Sequence, residues 1–353
     1  MISYQIIEHG RPLQKVLAET PKPQGSEVLM RVTRAGVCHS DLHIWEGYFD
    51  LGGGKRFYVK ERGCIPPFTL GHEPFGVVEA LGPAAAKSAR GVKVGDKRLV
   101  YPWIGCGKCA VCKSGQDNYC VSGTRFLGVN RAGAYATHVL VPDAKYLIDT
   151  RGIDDAFAAT LACSALTAYS AAAKLPELGA KDEVAVLGCG GLGLIGISIL
   201  RAQGAKNIVA CDIDDAKLAA AAKLGAKRTV NTRAPEADQL RGIAGALDFV
   251  GSPATAGLGI AALRKGGRYI ICGLYGGELV HPLPPIAQRA IGIIGSYVGN
   301  LQELKEVVAL AKKGKLKPLP VTTRPGEEAS GALEDLKAGR VVGRIVLDFE
   351  TVQ

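Results

Sequence analysis

The stretch Gly188-Cys189-Gly190-Gly191-Leu192-Gly193 follows a short apolar run, Glu183 to Leu187, and leads into an apolar-periodic stretch, Leu192 to Gln203. That order reads as strand, tight turn and helix. Gly188 lets the chain reverse, Gly190 lets the backbone approach a pyrophosphate, and Gly193 lets the helix pack closely on the strand. Gly191 and Leu192 open the helix, where N–H groups without an intrahelical partner and the positive end of the helix dipole are offered to phosphates. A glycine turn alone is weak evidence, because a plain strand–turn–helix corner also uses glycine. The acidic partner strengthens it. Asp212 ends the next strand, about 20 residues on, where a carboxylate can accept hydrogen bonds from an adenosine ribose. Asp214 and Asp215 stand beside it and no Arg follows immediately, so a 2′-phosphate is repelled and NAD is expected over NADP.

Outward from this turn, strands and helices alternate. Asn207 to Cys211, Leu247 to Val250, Tyr269 to Cys272 and Ile291 to Gly295 read as strands, and Ala216 to Leu224 and Leu301 to Lys313 as helices. Such alternation implies an α/β fold with a doubly wound parallel sheet covered by helices on both faces. Upstream, Ala156 to Ala173 reads as an Ala-rich helix. The first ~150 residues differ in character. Val28 to Val32, Gly76 to Leu81, Lys97 to Tyr101 and Tyr135 to Val141 are apolar runs separated by turn signals such as Pro66-Pro67 and Gly95-Asp96, the pattern of a small, partly open barrel. The last strand is Gly343 to Phe349.

The chain has 353 residues, 47% of them hydrophobic, which is enough for two cores. No stretch has the length of a membrane span and no leader is read, so a cytoplasmic protein without a membrane partner is expected. The net charge of +10 raises the question of nucleic acid, but the positives are scattered. The densest group, Lys55, Arg56, Lys60 and Arg62, has Asp50 and Glu61 beside it, so a solvated basic surface and no nucleic-acid partner are expected. Ten cysteines in a reducing compartment point to metal rather than disulfides. Cys106, Cys109, Cys112 and Cys120 have the spacing of a closed tetrahedral zinc site, with Gly105, Gly107 and Gly115 supplying turns. An iron–sulfur cluster also takes four cysteines. Zinc is favoured because the lobe stands beside a dinucleotide fold that already carries redox chemistry.

Other metal-binding residue types are dispersed: Cys38 in Gly36-Val-Cys-His-Ser-Asp-Leu-His43, His72 and Glu73 in Gly71-His-Glu-Pro74, and Cys163 in Leu161-Ala-Cys-Ser164. Spacing alone does not join them. Taken together with the four-cysteine lobe and the glycine turn with its Asp212, and in this order along the chain, they resemble the zinc-dependent alcohol dehydrogenases of the medium-chain dehydrogenase/reductase superfamily, the shorter microbial and archaeal members in particular. That resemblance covers essentially the whole chain. It implies a GroES-like β-rich catalytic domain over 1–153 with the structural zinc lobe at about 104–122, a Rossmann domain over 154–296, and a C-terminal return to the catalytic domain over 297–353. It implies Cys38, His72 and Cys163 as ligands of a catalytic zinc with one position open, and Glu73 behind it. It also implies hydride transfer between an alcohol and NAD, the alcohol first losing its proton with zinc as Lewis acid. Ser40 is then the first proton acceptor and His43 the outer end of a relay that runs by way of the cofactor ribose. The bland alternative for these two is a helix cap and a surface imidazole.

His39 and Arg344 resemble pyrophosphate contacts, His39 standing where many relatives carry Arg. The resemblance also places Leu274 and Tyr297 near the nicotinamide, with Gly273 as a further cofactor-binding residue. Trp45, Trp103, Tyr297 and the segment 48–65 are expected to line or cover the substrate pocket, although aromatics at these places are equally compatible with ordinary core. Primary or secondary alcohols, aliphatic, cyclic or aromatic, and the matching aldehydes or ketones are the expected substrates. Ile293 to Gly299 resembles the last sheet segment of tetrameric relatives, so a homotetramer is expected, with a dimer as the simpler assembly. Three rivals remain at this stage: a zinc-free quinone reductase, which the ligand residues oppose; a nucleic-acid-binding zinc knuckle, which lacks a basic stripe; and a polyol or formaldehyde dehydrogenase.

Overall fold

The computed structural model describes residues 1–87, 91–234 and 240–352. Two large sheets organise them. One is six-stranded and wholly parallel, in the spatial order Arg228–Asn231, Asn207–Asp212, Glu183–Leu187, Ile243–Asp248, Leu263–Ile271, Gly292–Gly295. Successive strands wind outward in opposite directions from the pair Glu183–Leu187 and Ile243–Asp248. This reversal opens a crevice at the carboxyl ends of those strands. The central strands are apolar and buried on both faces, as strands between two helical layers must be. The α/β architecture expected from the alternation is the one observed.

The other large sheet is antiparallel apart from one edge. Its order is Leu147–Ile148, Lys97–Val100, Pro74–Leu81, Val28–Val37, Arg344–Asp348, Val321–Pro325, with His138–Val141 also pairing with Val28–Val37. The strand Arg344–Asp348 thus returns the end of the chain to the first sheet, Ile345 lying opposite Val37. That pairing sets Arg344 beside Cys38. A hairpin of Tyr48–Gly52 and Lys55–Tyr58 stands apart from both sheets.

Two elements differ from their sequence reading for local reasons. The helix expected over Ala156 to Ala173 is broken into Asp155–Ala159, a 3₁₀ turn Thr160–Ala162 and Ser164–Ala172. Cys163 is the break, with φ −123° and ψ −71°. The strand expected over Leu247 to Val250 instead runs Ile243–Asp248. It stops because the Asp248 carboxylate accepts from the backbone N–H of Val250 at 2.8 Å and of Gly251 at 2.9 Å, folding the chain into a turn.

Candidate active site and metal centres

Cys38 follows the strand Val28–Val37 and caps the helix His39–Glu46. His72 and Glu73 lead into the strand Pro74–Leu81, and Cys163 sits at the helix break. These three segments bring together two thiols, an imidazole and a carboxylate, all buried, whose donor atoms lie within 4.8 Å of one another. The Cys38 and Cys163 sulfurs are 3.9 Å apart, and His72 Nε2 is 3.3 Å from Cys163 Sγ. Neighbouring donors of a tetrahedral zinc, with Zn–S near 2.3 Å and Zn–N near 2.0–2.1 Å, stand about 3.5–3.8 Å apart. Glu73 Oε2 is buried without a hydrogen-bond partner among the described residues. A buried set of this composition fits a divalent cation, and the residues present suit zinc.

The orientation of His72 is fixed from behind. The buried Asp41 carboxylate lies 2.9 Å from His72 Nδ1 through one oxygen, which directs Nε2 to the cluster. Its other oxygen accepts from the backbone N–H of Cys38 at 3.0 Å and from Tyr135 Oη at 3.3 Å. Asp41 therefore closes the start of the helix as well. Burial raises the pKa of the Glu73 carboxyl, pushing it up to about 7, against the opposing pull of the Arg344 guanidinium.

A cleft beside this cluster is lined by Cys38, His39, Gly190, Gly191, Lys217 and Arg344, among others. Gly188 has φ 86°, the left-handed conformation that the reversal after the strand requires. A side chain at Gly193 would collide with the carbonyl oxygen of Gly188, whereas Gly190 faces open space. Both oxygens of Asp212 are held by amides: one accepts from Cys189 N at 2.6 Å, the other from Ile213 N at 2.8 Å and Asp214 N at 3.0 Å. Its carboxylate is thereby fixed at the rim of the glycine turn. Arg344 donates through Nη2 to Val37 O at 2.8 Å and to Glu73 Oε1, while its buried Nε and Nη1 have no partner among the described residues. Gly273 packs so tightly on Val250 and Gly251 that no side chain fits, and Leu274 beside it is 47% exposed.

One wall near His72 is aromatic. Trp103 lies with its ring centroid 5.3 Å from that of His72 and is fixed by donation from Nε1 to Ala162 O at 3.0 Å. Phe126 and Tyr297 meet Trp103 edge-on at 5.5 and 6.2 Å. On the helix after Cys38, Ser40 is half-buried, and the His43 ring lies 4.8 Å from that of Phe49. Desolvation lowers the pKa of His43, opposed by Glu46 and Cys38.

Cys106, Cys109, Cys112 and Cys120 form the second group of donor atoms within 4.8 Å. Here the backbone aims at sulfur. Cys106 Sγ receives the N–H of Lys108 at 3.4 Å and of Cys109 at 3.3 Å, Cys109 Sγ that of Cys112 at 3.4 Å, and Cys120 Sγ that of Cys106 at 3.3 Å. Such N–H···S bonds stabilise thiolates. Gly107 and Gly115 have positive φ, as expected of turns. Gly105 does not; its role is room, since a Cβ there would press on Cys112 Sγ.

The alcohol dehydrogenase GroES-like domain model matches residues 24–151, and the zinc-binding dehydrogenase model matches 191–313. A curated NAD-dependent alcohol dehydrogenase of Sulfurisphaera tokodaii is 36% identical over 98% of this chain and 99% of its own length. The chain belongs to the zinc-dependent alcohol dehydrogenase family of the medium-chain dehydrogenase/reductase superfamily. The crystal structure of the alcohol dehydrogenase from the archaeon Aeropyrum pernix superposes with a TM-score of 0.89 at 32% identity, covering 99% of this chain and 100% of that one. An acetophenone reductase from Geotrichum candidum in complex with NAD superposes with 0.87 at 28% identity, covering 99% and 98%.

Within this zinc-type dehydrogenase, the structure gathers Cys38, His72, Glu73 and Cys163 at one point, and the glycine turn, His39 and Arg344 along the adjoining cleft. Trp45 is buried, its indole donating to Arg11 O at 2.6 Å and lying under Lys337. Helix direction explains this, because Trp45 sits on the face that packs on the helix Ala329–Lys337. Ser40 is not the helix cap: Cys38 holds that position, and the Asp41 carboxylate accepts from its backbone N–H. Three residues escaped the sequence reading. Asp41 was within the quoted motif, but nothing in spacing tied it to His72. Lys217 lines the cleft from the helix that follows Asp212, and a cation shortly after a ribose-binding acid was its available signal. Phe126 meets Trp103 in the aromatic wall, a contact between separate segments that spacing does not signal.

Proposed function

We propose that this chain is an NAD-linked, zinc-dependent alcohol dehydrogenase that interconverts primary or secondary alcohols with aldehydes or ketones. The observation that carries this reading is the convergence of two thiols and an imidazole on one point, flanked by a glycine-lined cleft and an aromatic wall. Cys38, His72 and Cys163 would hold a zinc with one position open, and the four-cysteine lobe a second, closed one. When bound, zinc supplies Lewis acidity that makes an alcohol hydroxyl far easier to deprotonate.

The chain's own residues do the rest. Asp41 keeps the His72 ring turned so that Nε2 faces the cluster. Ser40 takes the substrate proton at its hydroxyl oxygen as it gives up its own, and His43 is the outer acceptor of a relay that the cofactor ribose would complete. Trp103 and Tyr297 exclude water from the reacting carbon. The fixed Asp212 carboxylate selects NAD by binding ribose hydroxyls and repelling a 2′-phosphate. Leu274 faces the nicotinamide half of the cleft, and Arg344 with His39 supports the pyrophosphate.

We assign residues 1–153 and 297–353 to the catalytic domain and 154–296 to the cofactor domain. We further assign the protein to the cytoplasm, on the strength of ten cysteines that are all free. The homotetramer reading rests on the sheet edge at Gly292–Gly295 and the exposed Tyr275, Val280 and Leu283 nearby. No described helix is long and apolar enough to cross a membrane.

The test is a panel of alcohols assayed with NAD and NADP, with elemental analysis and light scattering on the same preparation. Oxidation with NAD, about two zinc ions per chain and a tetrameric mass are expected. Active protein without zinc, or a preference for NADP, overturns the reading.

A further inference from the structure

Asp248 is the last residue of the strand Ile243–Asp248, at the crevice where the winding of the parallel sheet reverses, and it is completely buried. Its carboxylate accepts from three neutral donors. One oxygen takes the backbone N–H groups of Val250 at 2.8 Å and Gly251 at 2.9 Å, and the other takes the Tyr269 hydroxyl at 2.5 Å. Tyr269 is itself completely buried in the neighbouring strand Leu263–Ile271. Burial, with the Asp248 carboxylate beside it, raises the pKa of that hydroxyl far above its ordinary value, so it stays a donor. The backbone carbonyl of Asp248 accepts in turn from Cys272 N at 2.9 Å and Gly273 N at 3.0 Å.

One residue thus ties together the turns 249–251 and 272–276, which leave adjacent strands. The two turns interlock beyond it. Tyr275 N donates to Val250 O at 3.0 Å and Gly276 N to Gly251 O at 3.2 Å. A Cβ at Gly251 would meet the carbonyl of Gly273, and one at Gly273 the carbonyl of Val250. The interlocked pair also meets the dinucleotide turn, because a side chain at Gly188 would strike Val250 Cγ2. At its other end Gly276 packs against Asp50 of the hairpin strand Tyr48–Gly52. A buried carboxylate without hydrogen bonds is strongly disfavoured, so the turns around Asp248 are held to the one arrangement that keeps its donors in place.

We propose that Asp248, braced by Tyr269, is the positioning residue for the nicotinamide half of the cofactor. It fixes the turns that carry Gly273 and the half-exposed Leu274, and it touches no cofactor atom itself, since it is buried beneath them. This rests on the dehydrogenase reading. The adenosine half has separate anchors, because the Asp212 carboxylate is held by amides of its own at Cys189, Ile213 and Asp214. Loss of the Asp248 contacts is therefore felt at one end of the cofactor and not at the other.

The test compares NAD with ADP-ribose, which keeps the adenosine, the pyrophosphate and both riboses but lacks the nicotinamide. Calorimetry on the zinc-loaded protein reads both in the wild type, Asp248→Asn, Tyr269→Phe and the double variant. NAD affinity is expected to fall about tenfold in Asp248→Asn, the lower end of what a hydrogen bond to a charged group is worth. Tyr269→Phe should lie between it and the wild type, and ADP-ribose affinity should stay nearly constant throughout. Because Tyr269 acts through Asp248, the double variant should be no weaker than Asp248→Asn alone. Equal weakening of NAD and ADP-ribose, or weakening of neither, overturns the assignment, and NAD-linked alcohol oxidation by the wild type then leaves the dehydrogenase reading intact. If Asp248→Asn does not fold, Tyr269→Phe decides by the same comparison, since it removes a single hydroxyl. If the wild type oxidises no alcohol yet the loss is confined to NAD, the positioning role stands and the dehydrogenase reading fails.

Discussion

The two cysteine clusters solve the same chemical problem in opposite ways. In the lobe, Cys106, Cys109, Cys112 and Cys120 come from one short segment, and backbone N–H groups of that segment point at the sulfurs. Local chain geometry alone assembles it, and it is half exposed. The other cluster draws Cys38, His72 and Cys163 from three distant segments and buries all of them. Its donors are oriented by side chains and by tertiary packing: Asp41 behind His72, the helix break at Cys163, the pairing of Arg344–Asp348 with Val28–Val37. A self-assembled site with four thiolates is closed and structural. A site assembled by the fold, with three such donors and a nearby carboxylate, has a position to spare for substrate.

The largest effect should separate the two. Cys38→Ser removes a ligand from the dispersed cluster, so turnover is expected to fall by more than about 10⁴, beyond the upper end of what a lost acid–base partner costs. Zinc content should drop by one per chain while the circular dichroism stays that of the folded protein. Cys109→Ser should act the other way, lowering the thermal midpoint markedly and turnover of the folded fraction far less, because metal binding in such a lobe is folding energy. If both variants lose activity and fold alike, the division into a catalytic and a structural site is wrong.

Next in size is a change that touches neither metal. Ser40→Ala should cost turnover about 10²–10⁴-fold with zinc content normal. His43→Gln should cost less, since water can replace the outer end of a relay, but it should reshape the pH profile. Desolvation holds the His43 imidazole below its ordinary value, with Glu46 and Cys38 opposing, so it remains neutral and able to accept a proton as pH falls below the usual imidazole range. The acid limb of wild-type alcohol oxidation should therefore lie lower than for an exposed histidine, and it should vanish in His43→Gln. Full turnover in Ser40→Ala would mean that the proton leaves by another route.

The contrast between the clusters also explains what the sequence could reveal. The lobe and the glycine turn are local, so spacing carried their geometry: the strand Glu183–Leu187 and the helix Gly191–Ala202 lie within a residue of where periodicity put them. The dispersed ligands were joined only through family resemblance, because no periodicity links positions this far apart. A motif gives a helix but not the face that meets its neighbour, so the packing of Trp45 under Lys337 was not legible in it. Asp41 was passed over because its importance lies in reaching His72, a contact between separate segments. That contact is testable. Asp41→Asn keeps the shape but weakens the hydrogen bond that fixes the imidazole, so zinc affinity at the dispersed site should fall about 10- to 100-fold, as outer hydrogen-bond partners of metal ligands typically cost. Competition with a chelator should show this loss while the four-cysteine site is unaffected. An equal loss at both sites would point to general destabilisation.

The smallest predicted effect asks whether the clusters are independent at all. Asn118, inside the lobe segment and buried, donates to the backbone carbonyl of Tyr297 at 3.3 Å. Two residues on, Gly299 O accepts from Tyr101 Oη at 2.9 Å. Between these anchors Val298 has φ 42°, a conformation that a β-branched residue adopts only under constraint from its surroundings. The constrained segment carries the Tyr297 ring, which stands against Trp103 and Phe126 in the aromatic wall. Asn118 therefore ties the lobe to the wall assigned to the substrate pocket, beside a second contact in which Asn300 donates to Gln116 Oε1 at 3.4 Å. Removing that tether in Asn118→Ala costs about 0.5–1.5 kcal/mol of positioning, the usual net worth of one hydrogen bond, which corresponds to a KM for alcohol roughly 2- to 10-fold higher. The KM for NAD should move less, because Asp212 and the glycine turn lie in the other half of the molecule. Val298→Gly distinguishes positioning from simple loss of structure. It relieves the strained conformation and should raise the thermal midpoint, yet it frees Tyr297 and should raise the alcohol KM as Asn118→Ala does. Paired steady-state kinetics and thermal unfolding on the two variants decide the matter. If KM follows stability, falling in Val298→Gly and rising in Asn118→Ala, the tether is only a stabilising contact; if KM rises in both, the structural lobe also shapes the active site.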